Sequence, residues 1–258
     1  MNSAESISLL RRDSCKSGPR PEILMCCKSL EYSILEYDYK YCKERLPEKH
    51  ASIDGTCDCE ETPRGKLISV FMSRAKNLWF MSEAQMKKYI DVFPFLKSEN
   101  AKVLSSVFST STLRFISKLD TTKKDDVWLI QDSKSWVKGT KSAVEFANEN
   151  GYKYETFSDL GYEDMLRKFA TSKGFIFLPL GPDTCPRTVI EAKMLGCDIL
   201  LNENVQHRDE DWFSRDKSDV FNYMKTRAET FWDSIAETEN IRLPSKSSSP
   251  EQTHFKII

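Results

Sequence analysis

Residues 175–200 read Phe175-Ile-Phe-Leu-Pro-Leu-Gly-Pro-Asp183-Thr-Cys-Pro186-Arg-Thr-Val-Ile-Glu191-Ala-Lys-Met-Leu-Gly196-Cys-Asp-Ile-Leu200. An apolar strand runs into a Gly-Pro loop, and a helix begins near Pro186 because proline is favoured in the first turn of a helix. Gly196 is expected to end that helix, and a second strand begins at Asp198. A strand, a helix and another strand in this order predict a parallel α/β unit.

The rest of the chain repeats this alternation. We predict strands at 23–27, 32–37, 77–81, 103–108, 127–130, 152–157 and 198–201, and helices at 67–75, 82–92, 141–149, 162–172 and 217–236. Residues 43–66 are predicted to form a long loop because they contain Lys, Glu, Pro, Asp and Gly. Strands that are short and apolar throughout indicate a sheet with both faces covered.

Composition excludes several classes of protein. The 258 residues include 38 Lys and Arg and 39 Asp and Glu, and this near-neutral balance lacks the broad basic surface of a nucleic-acid-binding protein. No apolar run approaches the roughly 18–20 residues that span a bilayer, so we expect no transmembrane segment. Peripheral contact with a membrane remains compatible with the sequence. Eight cysteines without a secretory signal or a glycosylation sequon indicate reduced thiols and a cytoplasmic protein.

The loop before the helix at Pro186 has the features of a phosphate site. Backbone N–H groups from Thr184 to Thr188 and the helix dipole attract an anion at the carboxyl end of a strand, where open α/β sheets bind ligands. Asp183 lies just before the helix and Glu191 about one turn into it, so their carboxylates can bind hydroxyl groups on either side of a diphosphate. The alternative interpretation is an Asp that caps the helix and a surface Glu.

This stretch resembles the donor-site signature of GT-B glycosyltransferases, in particular the retaining family-4 type. The family pattern is an acid, seven residues and then Glu-Ala-x-x-x-Gly, and the chain has Asp183-x7-Glu191-Ala-Lys-Met-Leu-Gly196, with Asp as the first acid. The resemblance implies that Glu191 holds the ribose hydroxyls of the nucleotide and that Asp183 contacts the transferred sugar. These two are therefore the predicted catalytic residues, and transfer with retention of anomeric configuration is implied.

Other segments are similar to the same family. Trp136-Val-Lys138-Gly139 matches the Lys-Gly element whose lysine contacts the donor diphosphate, and the arginine that the family has five residues before that lysine is Ser133 here. Residues 75–85 resemble the last strand and serine-capped helix of the acceptor domain. Residues 217–236 resemble the C-terminal helix that returns to the first domain.

The fold class that the resemblance implies is α/β, with two Rossmann-like domains of GT-B type and a reduced N-terminal domain. The charged hinge at 121–126 sets the boundary between them. The predicted organisation is a loose N-terminal segment at 1–20, a reduced acceptor-side domain at 21–120, a nucleotide-sugar donor-binding domain at 121–216, a C-terminal crossover helix at 217–238 and a disordered tail at 239–258.

The predicted function is a glycosyltransferase, hexosyl or related, that moves a sugar from a nucleotide-diphosphate sugar to an unknown glycan, lipid or protein acceptor. The competing interpretation is a non-catalytic nucleotide-sugar-binding module. The predicted donor-binding residues are Lys138, Gly139, Thr184, Cys185, Pro186, Arg187, Thr188 and Glu191, and Asp38 is predicted on the acceptor side. No metal or other cofactor is expected to be required, because backbone and basic groups neutralise the diphosphate in such folds.

For three of these residues a simpler interpretation stays open. Lys138 is equally consistent with an ordinary solvated lysine. Arg187 either reaches phosphate or pairs with an acid. Asp38, which follows an apolar strand, either faces the cleft between domains or caps a turn.

A second constellation is Cys42, His50, Cys57 and Cys59, which could form a tetrahedral zinc site. The spacing is unusual because Cys-x-Cys replaces the common Cys-x-x-Cys. The alternative is three free thiols and a surface histidine. A zinc site would favour a third functional class beside the enzyme and the binding module, namely a zinc-braced interaction protein.

Overall fold

The computed structural model describes residues 31–96 and 98–239, and within them the chain forms two separate parallel β-sheets. The strands of the first sheet are β1 (Ile34–Glu36), β2 (Leu78–Phe80) and β3 (Ala101–Val103). Those of the second are β4 (Asp125–Gln131), β5 (Tyr154–Phe157), β6 (Ser172–Phe177) and β7 (Asp198–Leu201). The spatial order is β1-β2-β3 in the first sheet and β5-β4-β6-β7 in the second. We call residues 31–103 the first-sheet region and residues 125–214 the second-sheet region.

Helices connect and cover the strands. The first four are α1 (Pro47–Asp54), α2 (Pro63–Ser73), α3 (Glu83–Val92) and α4 (Thr110–Lys118). They are followed by α5 (Thr140–Glu149), α6 (Tyr162–Thr171), α7 (Arg187–Met194), α8 (Asp211–Ser214) and α9 (Lys217–Glu239). Thr62, Ser82 and Ser109 immediately precede α2, α3 and α4. Each hydroxyl oxygen accepts a hydrogen bond from the backbone N–H of the residue three positions later. These caps satisfy N–H groups that have no partner inside the helix.

Strand β6 is buried on both faces. Ile176 pairs with Ile130 on β4 and with Leu200 on β7. Phe175 and Phe177 pack into a core on one face, and Ile176 packs into a separate core on the other. Double burial explains why this strand is apolar at every position from Phe175 onward.

The core of the first-sheet region combines Leu78 and Phe80 of β2 with side chains from the surrounding loops and helices, because each strand there pairs over three residues only. Its centre is a cluster of buried aromatic rings. Tyr39 stacks on Tyr89 at 5.7 Å between ring centroids, and Tyr41 meets Phe93 edge to face at 5.3 Å. Such ring pairs each contribute about 0.5–1.5 kcal/mol beyond the area they bury.

Helix α9 packs on both sheet regions. Its early residues Val220 and Met224 are part of the core of the second-sheet region. Farther along, Phe231 lies 5.3 Å from Trp79 between ring centroids, and Thr238 accepts a hydrogen bond of 3.1 Å from the Asn77 side-chain amide. The helix therefore links the two regions.

Two sequence predictions in the first-sheet region were wrong. Residues 43–66, predicted as a loop, contain α1 and the start of α2. The strand predicted at 103–108 is β3, which ends at Val103, because the chain leaves the sheet and reaches Ser105 with φ 65°. Helix α4 was not predicted.

Three other predictions lie outside the described residues: the loose segment at 1–20, the strand at 23–27 and the tail, from residue 240 onward. Across 31–96 and 98–239, no helix is both long enough and apolar enough to cross a membrane.

Candidate functional site

The order of strands in the second sheet places a crevice between β4 and β6. The chain leaves β4 toward β5 at one edge and leaves β6 toward β7 at the other. The segments after these two neighbouring strands therefore diverge, and open parallel sheets bind ligands at such a switch point. Here the two segments are the short turn Trp136–Lys138 and the loop at 178–186.

Lys138 and Asp183 meet across this crevice. The Lys138 ammonium lies 2.8 Å from a carboxylate oxygen of Asp183, and the two side chains are 28% and 13% exposed. Gly139 permits this approach because its φ is +61° and a Cβ there would lie 1.8 Å from the backbone oxygen of Leu178. Only glycine fits at this point of contact between the two segments.

Backbone hydrogen bonds hold Asp183 in place. Its N–H donates to the carbonyl of Asn204 at 2.8 Å, and its carbonyl accepts from the N–H of Gln206 at 3.1 Å. The next residue, Thr184, donates its hydroxyl proton to the carbonyl of Tyr37 at 2.8 Å. The loop is thereby fixed to both sheet regions before α7 begins.

Helix α7 begins after Pro186 without a side-chain cap. Its first N–H groups thus keep their hydrogen-bonding capacity, and its dipole places partial positive charge there. Cys185 contributes only its backbone, because its thiol is buried against Ser106 and burial raises its pKa to about 12.

A cleft of about 220 Å³ lies between the two regions at this point. The second-sheet region lines it with Lys138, Asp183 and Thr184, and the first-sheet region with Asp38 and Arg45. Typical ligand pockets measure about 300–1,000 Å³, so this cleft can hold only part of a nucleotide sugar.

Asp38 and Arg45 form an ion pair in the cleft wall opposite Lys138 and Asp183. Asp38 was predicted from its place after a strand, and β1 does end two residues before it. Arg45 was not predicted, because a lysine- and glutamate-rich stretch gives no sign of which side chain faces a cleft.

Glu191 is not among the residues that line this cleft. Its side chain is 2% exposed and accepts a hydrogen bond of 2.6 Å from the Tyr162 hydroxyl, with Arg187 3.9 Å away. Burial raises the pKa of Glu191 to about 7, against the lowering effects of Tyr162 and Arg187. Tyr162 was not predicted, because its contact with Glu191 exists only in the folded chain.

Arg187 extends from the start of α7 over the ring of Phe108, 4.5 Å from the ring centroid, and remains half exposed. Thr188, one residue further into the helix, is half-buried. The predicted site residues are thus divided into two sets. Lys138, Asp183 and Thr184 line the cleft, with Gly139 next to Lys138 in the chain. Arg187 and Glu191 lie along α7 with Tyr162.

A separate group of potential metal ligands lies in the first-sheet region. One ligand atom from each of Cys42, His50, Cys57 and Cys59 lies within 4.8 Å of the others. The sequence therefore identified a cluster that the fold does bring together.

No protein-family model matches the chain, and no curated protein matches it. Its fold is similar to that of the GtfA/B complex, with a TM-score of 0.51, 9% identity, and coverage of 84% of this chain and 55% of that chain. The comparison with AviGT4, a glycosyltransferase involved in avilamycin A biosynthesis, has a TM-score of 0.44 and 12% identity. It covers 63% of this chain and 64% of AviGT4. The comparison with Anabaena HepE in complex with UDP-glucose has a TM-score of 0.45 and 13% identity. It covers 84% of this chain and 76% of HepE.

The chain has an α/β fold of GT-B type, with two Rossmann-like domains of which the N-terminal one is reduced. It spans about two thirds of the length of AviGT4 and about half of the GtfA/B chain.

Proposed function

We propose that this protein is a glycosyltransferase that uses a nucleotide-diphosphate sugar as donor. The observation that supports this most strongly is the meeting of Lys138 and Asp183 at the switch point of the second sheet, beside the start of α7. A cation, an uncapped helix start and a carboxylate are the groups needed to bind a diphosphate and a sugar side by side.

In this proposal Lys138 and the first N–H groups of α7 bind the donor diphosphate. Negative charge builds up on the diphosphate as its bond to the sugar breaks. Fixed positive groups that already point at the leaving oxygen stabilise that charge without having to reorient. No metal ion is required for this step.

Asp183 is proposed to accept hydrogen bonds from hydroxyls of the transferred sugar; its carboxylate at the cleft and its backbone, held on both sides, support this role. Its pairing with Lys138 also offsets the repulsion between this carboxylate and a diphosphate.

Glu191 is proposed to bind the ribose, as the family resemblance implies. In the described structure its carboxylate is bonded to Tyr162. Binding of the ribose therefore requires that Tyr162 share or release Glu191. The site along α7 with Arg187, Glu191 and Tyr162 is the proposed place for the part of the nucleotide that the cleft of about 220 Å³ cannot hold.

The acceptor is proposed to enter from the wall formed by Asp38 and Arg45. The proposed domain limits are those set by the hinge at 121–126. Retention of anomeric configuration is part of the proposal on the family resemblance, and the anomeric configuration of the product, measured by NMR, tests it.

The decisive experiment is a thermal-shift screen with UDP, GDP, ADP and their common sugar conjugates. A nucleotide at 100 times its dissociation constant stabilises the folded protein by about 2.7 kcal/mol, a shift of roughly 5–10 °C for a chain of this size. We expect a shift with one nucleotide, its loss in Lys138→Met, and its retention in Lys141→Met, a neighbouring lysine whose side chain is 89% exposed. Absence of any shift in the folded protein would contradict the proposal.

Turnover separates the enzyme from the competing interpretation of a binding module. We expect Asp183→Asn to keep the thermal shift and to lose sugar transfer, measured as release of the nucleotide from the sugar conjugate. Binding by the wild-type protein without any release, across a panel of glycan, lipid and peptide acceptors, would favour the binding module.

A further inference from the structure

We propose that Cys42, His50, Cys57 and Cys59 bind one zinc ion in the first-sheet region. This proposal does not rest on the proposed glycosyl transfer, because its residues belong to α1 and the loops on either side of it and not to the second sheet. The inference rests on the distances between the four side chains, on their burial and on the partner of the histidine.

The distances fit a tetrahedral ion. Bond lengths of about 2.3 Å from zinc to sulfur and 2.0–2.1 Å to nitrogen place neighbouring ligand atoms about 3.5–3.8 Å apart. The Sγ atoms of Cys42 and Cys57 are 3.7 Å apart, and the Nδ1 atom of His50 lies 3.7 Å from Cys42 Sγ and 3.2 Å from Cys59 Sγ. All four atoms lie within 4.8 Å of one another.

A disulfide does not explain this arrangement. The sulfur–sulfur distance of 3.7 Å between Cys42 and Cys57 is far longer than the bond of about 2.05 Å. Three thiols around one imidazole nitrogen also leave one thiol over in any pairing. Three sulfurs and one nitrogen form a common ligand set of structural zinc sites.

The histidine is oriented as a metal ligand. Its Nε2 atom lies 3.1 Å from a carboxylate oxygen of Asp54, and that carboxylate also accepts a hydrogen bond of 2.6 Å from Lys43. With the ring proton on Nε2 facing Asp54, Nδ1 keeps its lone pair and faces the sulfurs. A carboxylate behind a zinc-binding histidine is the usual way in which its tautomer and orientation are fixed.

The site is closed. Cys42 is 0% exposed, and His50 and Cys59 are 5% exposed each. Four protein ligands leave no position for water or substrate, so the ion would be structural and not catalytic. It would join residues 42–59, a segment with few apolar side chains, to the aromatic core of the region.

The zinc site also supports one wall of the cleft. Arg45 and Leu46 lie between the ligands Cys42 and His50, and both residues line the cleft. Loss of the ion is therefore expected to release the wall that faces Lys138 and Asp183.

Metal analysis of the purified full-length protein tests the proposal. We expect about one zinc ion per chain by mass spectrometry, and, after replacement with Co²⁺ alone, the intense visible absorption of a tetrahedral thiolate site. Cys57→Ser removes the least buried ligand and is expected to lower zinc content several-fold. Cys197→Ser changes a buried cysteine of the second-sheet region and is the matched control, which should retain the ion.

Asp54→Asn addresses the histidine partner without removing a ligand. We expect it to keep the tetrahedral Co²⁺ spectrum and to weaken zinc affinity by about 10–100-fold in a chelator competition. The proposal is overturned if the folded wild-type protein contains no zinc and gives no tetrahedral Co²⁺ spectrum, or if Cys57→Ser retains as much zinc as Cys197→Ser. Because the wild-type measurements stand alone, they decide the matter even if Cys57→Ser fails to fold.

Discussion

The two sheets are both parallel, yet the regions around them are held together differently. In the second sheet, β4 extends over seven residues and β6 is covered on both faces by apolar cores. In the first, every strand has three residues, and the core combines aromatic rings with the Cys/His cluster. The second region thus has longer strands, one of them buried between two apolar cores, whereas the first combines short strands with buried side chains from its loops and helices.

The largest effect is expected where the second-sheet region has no free space. Gly139→Ala places a Cβ against the backbone of Leu178 and forces alanine to adopt a φ of +61°. The left-handed backbone costs about 1–2 kcal/mol and the overpacking about 1–3 kcal/mol, so urea unfolding should show a loss of about 2–5 kcal/mol. Gly151→Ala, with φ +67° and open space around it, is the matched control and should lose only the backbone part. Equal losses of unfolding free energy in the two variants would show that the backbone of Leu178 moves away from the added Cβ at little cost.

A smaller effect is expected from the buried carboxylate of the second-sheet region. Since the pKa of Glu191 is raised from 4.5 to about 7 on folding, the folded state binds more protons than the unfolded state between these values. The unfolding free energy therefore falls as pH rises through this window, by at most about 3 kcal/mol.

We expect Glu191→Gln to gain stability relative to the wild type between pH 4.5 and pH 7, measured by thermal unfolding. Glu163→Gln serves as the control, because it removes a carboxylate that is 65% exposed on the surface of α6. A constant difference between Glu191→Gln and the wild type would contradict a raised pKa.

In the first-sheet region the matching glycine is Gly65. A Cβ at this position in α2 would lie 2.1 Å from the backbone oxygen of Cys59, one of the proposed zinc ligands. Overpacking predicts a loss of about 1–3 kcal/mol for Gly65→Ala in urea unfolding. Zinc content sharpens the comparison, because it should fall in Gly65→Ala and stay unchanged in Gly139→Ala. If both variants keep their zinc, the helix start and the ion are uncoupled.

The smallest effect concerns the link between the regions. Phe231→Ala removes the ring that packs against Trp79, and the lost ring pair contributes about 0.5–1.5 kcal/mol beyond the loss of buried area. Calorimetry should show the single unfolding transition broaden or divide, because the two regions lose part of their coupling. Asp233→Ala changes an exposed residue of the same helix and should leave the transition as it is.

The second-sheet region could be predicted well from sequence. The strand, the helix and the next strand at 175–200 are confirmed within a few residues as β6, α7 and β7. Double burial makes β6 apolar from Phe175 onward, and Gly196, with φ +74°, follows the helix as expected. The signals there are local, so they are visible in the sequence.

The first-sheet region was harder for a physical reason. The eight residues of α1 include one buried side chain, His50, so there is no apolar stripe to reveal a helix. Helix α4 does have a local signal, since Ser109 is its capping residue and Leu113 and Ile116 stand at helical spacing. The hydrogen bond between Tyr162 and Glu191 could not be predicted from the sequence, because residues 29 positions apart meet only through tertiary packing.

The path of α9 has a consequence for protein synthesis. Asn77 lies in the first-sheet region, and its partner Thr238 follows 161 residues later. At a translation rate of about 5–20 residues per second, roughly 8–30 s separate the two on the ribosome. During that interval the first sheet lacks the helix that covers Trp79. An early nascent chain should therefore expose apolar surface to chaperones there.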